Sequence, residues 1–446
     1  MSFFKDIIST LVFALMITLS ACGSPRKEHT SKLKYFGADN KPVTLTFETF
    51  LWFQIPDDFQ GTPEDLLTSA YREKIDSQIN LQDEHMFGVF SMQDDFVKNP
   101  GVIENSPDIK VLSASEVPGQ PYVKITYSYS DRAVFHKDVF RKFGNDISFW
   151  LPKEVTGFYA KGIPPGKRKN LCTDAYYNDE EDFWYFWNPR LEGCPLKNKD
   201  MVRVQAHFTP VEETTSTYPD YARLYGTGGD RKTVKAAIVF GIDENFHSGD
   251  LGRVSYAGFT KNLLVHGYQR TLREPLREVF THPGADFDAE ISVYLENPET
   301  KRFDETVFEA LETADIFLYD GHSGLGGHLE PARFEEFLGR KLELPKDKYQ
   351  IYIFQGCSTY AYYNESYFKL KKSDADPSGT KNLDIVTAGI ELLFENGADQ
   401  DFAIIDGLVG ATRPSWQKII TDIYAVAPES TALHQVNGDE DNPTHN

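Results

Sequence analysis

The chain reads as a β-rich N-terminal domain followed by an α/β domain whose parallel-rich sheet carries helices on both faces. Three observations predict this. From about Tyr35 to Phe208, apolar and polar residues alternate with period two, as in strands with one wet face. Beyond a polar, glycine-bearing stretch, continuous apolar runs alternate with helical patterns, which implies parallel strands joined by helical crossovers. Two of those runs, Ile316 to Tyr319 and Ile351 to Phe354, end in small residues beside a reactive one. Chemistry in open α/β sheets collects at such carboxyl ends.

At 446 residues the chain has room for two domains, and 40% hydrophobic with 25% charged residues is ordinary for a folded protein. A formal charge of −21 argues against nucleic-acid partners, which require a basic footprint. It also argues against broad adsorption to anionic lipid.

Residues 1–21 form a targeting segment. Lys5 precedes an apolar stretch from Ile7 to Leu19, of a length that suits a signal peptide and is short for a membrane span. Leu19-Ser20-Ala21-Cys22 resembles the lipobox of bacterial lipoproteins. The resemblance implies cleavage before Cys22, lipidation of its sulfur and a cell-envelope location. Gly23 after it favours an outer-membrane lipoprotein facing the periplasm or the exterior; a plain secretory signal is the alternative. Residues 22–34 then read as a lipid-anchored tether.

The β-rich domain spans residues 35–213. Val43, Leu45 and Phe47 alternate with threonines, Val123, Ile125 and Tyr127 with polar residues, and Val202, Val204 and Ala206 likewise. A helix is expected from Pro63 to Ile79. Setting Cys22 aside leaves Cys172, Cys194 and Cys357, an odd number in an oxidising compartment. Cys172 and Cys194 flank Phe183-Trp184-Tyr185-Phe186-Trp187 and make the natural disulfide, with about 3 kcal/mol from closing the loop; zinc would need further ligands that are not nearby. Cys357 is then expected to be reduced. The acidic run Asp179 to Asp182 reads as a solvated loop, with calcium as the alternative.

Residues 214–235 read as a linker, and the α/β domain spans 236–428. Strands are expected at Ala236 to Ile242, Ile291 to Leu295, Ile316 to Tyr319, Ile351 to Phe354, Leu383 to Ala388 and Phe402 to Ile405. Helices are expected at Phe259 to His266, after a cap at Asp304, from Pro331, and after a cap at Ser415. Residues 429–446 are expected to be a flexible tail.

Tyr319-Asp320-Gly321-His322 and Gln355-Gly356-Cys357-Ser358, each closing an apolar strand and in this order, resemble the His and Cys motifs of the caspase-like (clan CD) cysteine peptidases. Gly356-Cys357-Ser358 is similar to separases, Gln355-Gly356-Cys357 to caspases, and the His motif to gingipains and separases; legumains belong to the same group. The resemblance covers roughly Val234 to Val426. It implies a caspase-like α/β domain, peptide-bond hydrolysis, a protein or peptide substrate, and neither metal nor other cofactor. Cys357 would be the nucleophile and His322 the proton donor to the leaving amine. The backbone around Gly321 and Ser323, with the Cys357 N–H, would hold the oxyanion. Ser323 stands where the family often has glycine. Arg253 is the candidate for reading an acidic residue before the scissile bond, an ordinary surface arginine being the alternative. A catalytically inactive lipoprotein that keeps the domain for binding or assembly is the second functional reading.

Overall fold

The computed structural model describes residues 40–68, 70–93, 96–211, 217–226, 232–284, 286–390, 392, 394–427 and 432–445. The expected signal peptide, the lipidation site Cys22 and the tether lie outside the described residues. Among the described residues no helix is long and apolar enough to cross a membrane. The protein is a mixed α/β chain with two sheets, and it divides into two units at Glu212/Glu213.

The first unit is built on an antiparallel sheet. Its elements are β1 (Asn40–Gln54), α1 (Arg72–Glu84), α2 (Met86–Met92), β2 (Gly101–Ile103), β3 (Asp108–Glu116), β4 (Tyr122–His136), α3 (Lys137–Phe143), β5 (Asp146–Pro152) and β6 (Met201–Pro210). The spatial order is β2-β4-β1-β6-β5, with β3 also on β4. Alternate residues of β1, Val43, Leu45, Phe47, Leu51 and Phe53, are buried, which is the period-two pattern made physical. The helix expected from Pro63 is interrupted: a 3-10 turn covers Pro63–Thr68 and α1 starts only at Arg72. Asp65 accepts hydrogen bonds from Thr62 N (2.7 Å) and Thr62 Oγ1 (2.9 Å), a local closure that competes with helix propagation. The Cys172–Cys194 disulfide is present. It closes the loop whose Phe183 and Trp187 pack edge-on against buried His85.

The second unit begins with α4 (Tyr221–Tyr225). Its three buried residues, Tyr221, Leu224 and Tyr225, join the core, so this part of the expected linker is structural. There follow β7 (Lys232–Gly241), α5 (Leu251–Val265), β8 (Gln269–Glu274), β9 (Arg277–Pro283), β10 (Phe287–Glu296), α6 (Lys301–Thr313), β11 (Ile316–Asp320), α7 (Pro331–Leu338), β12 (Gln350–Gln355), α8 (Tyr360–Lys371), β13 (Leu383–Thr387), α9 (Phe394–Val409), α10 (Trp416–Val426) and β14 (Gln435–Asn437). The sheet order is β14-β13-β12-β11-β7-β10-β9-β8. Five central strands, β13 to β10 in that order, are parallel; the edges are antiparallel. Residues of α5, α9 and α10 share one core with Ile238, Leu318 and Ile353. Residues of α6, α7 and α8 share another with Val239, Phe317 and Phe354. Alternate strand residues thus serve opposite helical layers.

Three expectations are corrected. Phe402 to Ile405 is not a strand but part of α9, where Gly397, Asp401, Ile404, Ile405 and Leu408 are buried at helical spacing. The cap of α6 is Thr300, whose side chain accepts from Phe303 N; Asp304 is instead buried beside Arg333, 3.2 Å away. The expected flexible tail contains β14, paired antiparallel with β13. Asn442 also reaches back to Asp384 Oδ2 at 2.5 Å.

Candidate functional site

β7 lies inside the parallel set, with β10 on one side and β11 on the other. The chain therefore changes direction across the sheet at β7, and loops at the carboxyl ends of β7 and β11 part there, the usual place for a ligand crevice. Each of these loops carries a polar side chain of interest.

β11 and β12 pair in parallel up to Asp320 and Gln355. His322 and Cys357 each lie two residues beyond that last pair. The strand ends are in contact: Gly321 N donates to Gln355 O at 3.1 Å, and a Cβ added at Gly356 would meet Gly321 O at 2.8 Å and Ser323 N at 3.5 Å. Residues 316, 318 and 320 and residues 351, 353 and 355 take one face by strand alternation. The structure thus brings together the two strand tips that bear the predicted nucleophile and proton donor.

After Cys357 the chain turns sharply. Ser358 has a φ of 55°, in the left-handed region that is costly for a side-chain-bearing residue. Thr359 locks the turn, donating from Oγ1 to Phe354 O (2.8 Å) and accepting from Ala388 N (2.9 Å). α8 begins one residue later, so the sulfur sits just ahead of a helix N-terminus, a setting that favours a thiolate. No cysteine among the described residues is free. Cys357 is itself disulfide-bonded. The expectation of a reduced Cys357 is corrected accordingly.

His322 has a partner that sequence reasoning missed. Its Nε2 lies 2.7 Å from Asp243 Oδ1, and its ring packs edge-on against Phe394. Asp243 stands just beyond β7, on a loop organised by Asp250. The Asp250 carboxylate accepts from the backbone N–H of Asp243, Glu244, Asn245 and Arg253, capping α5 at the same time. α5 approaches β7 so closely that a Cβ at Gly252 would fall 1.8 Å from Gly241 O; only glycine fits. An aspartate directly after the apolar run Ala236 to Ile242 was the available signal, since it too had to emerge at the carboxyl edge. A carboxylate on Nε2–H leaves the Nδ1 lone pair to act as base and, once protonated, as acid.

The remaining predicted residues fall differently. Gly321 N–H is spent on Gln355 O, so it is no oxyanion donor; sheet pairing runs one residue further than the apolar pattern shows. Ser323 is buried, and its carbonyl accepts from Gly326 N, His328 N and Tyr363 OH. The left-handed positions of this loop fall on Gly324, Leu325 and Gly326, which explains why serine is tolerated at 323. Arg253 donates from Nη1 to Phe246 O at 2.7 Å and braces the Asp243 loop.

Beneath His322, Asp320 and Asp401 are both buried. Burial pushes Asp320 up from 3.8 to about 7, while a bond from Asp401 and the nearby His322 pull the other way. Burial and the Asp320 charge hold Asp401 well above the carboxylate range. No protein-family model matches this chain, and comparison with curated proteins finds no match.

Proposed function

We propose that the unit from Glu213 onward is a caspase-like cysteine peptidase domain in an exported, lipid-anchored protein, hydrolysing peptide bonds through Cys357 and His322. The observation that carries the reading is the Asp243–His322 hydrogen bond at a strand tip adjoining the one that bears Cys357. The chemistry needs Cys357 as a thiol, so its disulfide is first opened by a thiol reductant, and the thiol then passes its proton to His322. Sulfur then attacks the scissile carbonyl carbon while the backbone N–H of Cys357 and of Ser323 hold the oxyanion. As the C–N bond breaks, the His322 imidazolium gives its proton to the departing amine. His322 next takes a proton from water, whose oxygen attacks the thioester and frees the acid and the thiol. Asp243 holds the ring in the required tautomer. The substrate is a protein or peptide, the membrane is met through Cys22, and the strongly acidic chain takes no nucleic acid. Arg253 remains the candidate for an acidic residue before the cut.

The second reading, a non-catalytic lipoprotein acting in binding or assembly, is favoured by one observation: the disulfide at Cys357. A peptide-library digest with reductant separates the two. Wild type should cleave, Cys357→Ala and His322→Ala should each lose several orders of magnitude, and the double variant should lose little more, because the pair acts as a unit. Asp243→Asn should cost about a hundredfold. Cleavage that survives Cys357→Ala would refute the mechanism, and reduced protein that cleaves nothing would favour the binding protein.

A further inference from the structure

We propose that Asp320 and Asp401 share one proton and hold a single negative charge behind His322, making them positioning residues for its imidazolium; this rests on the peptidase reading above.

The geometry comes first. Asp320 ends β11 two residues before His322, on the face that packs against α9. Contact there is so close that a Cβ at Gly397 would lie 2.5 Å from Asp320 Oδ2. Asp401 follows Gly397 by four residues, one helical turn, and so lies on the same side of α9. Asp320 Oδ2 and both carboxyl oxygens of Asp401 receive no hydrogen bond from an ordinary donor. Across that contact two carboxyls with no other donor can bond each other only if a proton lies between them, and burial with their mutual interaction holds Asp401 well above the carboxylate range. Two bare carboxylates in so dry a place would repel.

Among the described residues, the groups around the pair leave it no cation but His322. From β12, Gln355 faces Asp401 without forming a well-made hydrogen bond. Gln355 Oε1 lies 2.8 Å from His434 Nε2. Burial holds His434 down to about 4, so that ring is neutral and donates from Nε2, turning the Gln355 amide N–H groups towards Asp401. α5 contributes Ser255, whose Oγ donates to Phe394 O, and β7 contributes only Phe240, opposite Asp320 in register. The charge of the pair therefore acts on His322, reinforcing Asp243 from a second side.

The reduced full-length chain carries the test, with two independent readouts. Infrared spectroscopy near neutral pH should show a protonated buried carboxyl in wild type that Asp401→Asn removes, since the amide it introduces donates to a lone Asp320 carboxylate. The pH profile of kcat/KM should keep its basic limb in Asp401→Asn, where one charge remains. In Asp320→Asn/Asp401→Asn that limb should fall by about one pH unit, as expected for removing one charge at this range. A purely structural role would lower activity without moving the limb. Absence of the infrared band in wild type, or an unmoved limb in the double variant, would overturn the proposal. Wild type that cleaves no peptide would instead overturn the peptidase reading, and the infrared arm would still decide the shared proton.

Discussion

Asp320→Asn/Asp401→Asn should make the protein more stable at alkaline pH and leave it unchanged in acid. Asp320 is driven from 3.8 to about 7 chiefly by burial. A carboxyl whose folded value lies above its unfolded one costs nothing below about pH 4, where both states are protonated. The cost grows as pH rises through the window between the two values, at about 1.4 kcal/mol per unit, and levels off above about 7. Three units amount to roughly 4 kcal/mol, of which burial of the replacement amide offsets part, leaving a gain of about 2–4 kcal/mol. Asparagine keeps the shape at both positions, and one amide can donate to the other. Urea unfolding of wild type and variant at about pH 4.5 and about pH 8 reads the difference directly. Curves that shift in parallel with pH, or a variant less stable than wild type at the higher pH, would refute the reasoning.

Gly397→Ala places a methyl 2.5 Å from Asp320 Oδ2. It should destabilise by about 1–3 kcal/mol in the same unfolding assay, and Asp320→Ala in that background should recover part of the loss. Asn442→Ala removes one of three donors to the buried Asp384 Oδ2, the others being Tyr349 OH and Trp416 Nε1. It should cost about 1–3 kcal/mol and speed hydrogen exchange in β13 and β14. Cys22→Ala should yield uncleaved or soluble protein on membrane fractionation, and unchanged fractionation would remove the lipoprotein reading.

The strands that bear the candidate site were legible because burial on both faces writes continuous apolar runs, as in Ile316 to Tyr319 and Ile351 to Phe354. α9 was not. Phe402-Ala403-Ile404-Ile405 is a short apolar run that suits a strand or a buried helix equally, and the arbiter, the Gly397/Asp401 face against Asp320, is a tertiary contact. The hairpin β8–β9 was missed for a related reason: β8 is almost wholly exposed and so carries little alternation. β14 is only three residues long, too short for any period to register. At the site, His322 and Cys357 were visible as reactive residues at strand ends. Asp243 was equally placed but lacked an unusual neighbour to mark it. The polar tail residues that bury themselves around Asp384 look, as sequence, like any solvated terminus.

The two margins of the eight-stranded sheet meet the hazard of edge-to-edge association in opposite ways. At one margin β14 is so short that it offers a neighbouring chain almost no ladder to extend. At the other, β8 is longer, but it is broken by a register shift between Arg270 and Leu272 and carries exposed Arg270, Arg273 and Glu274. Brevity on one side and a charged, kinked border on the other are both barriers to strand addition. A protein held at high local density on a surface would gain most from them, because its copies would meet edge to edge far more often than in dilute solution.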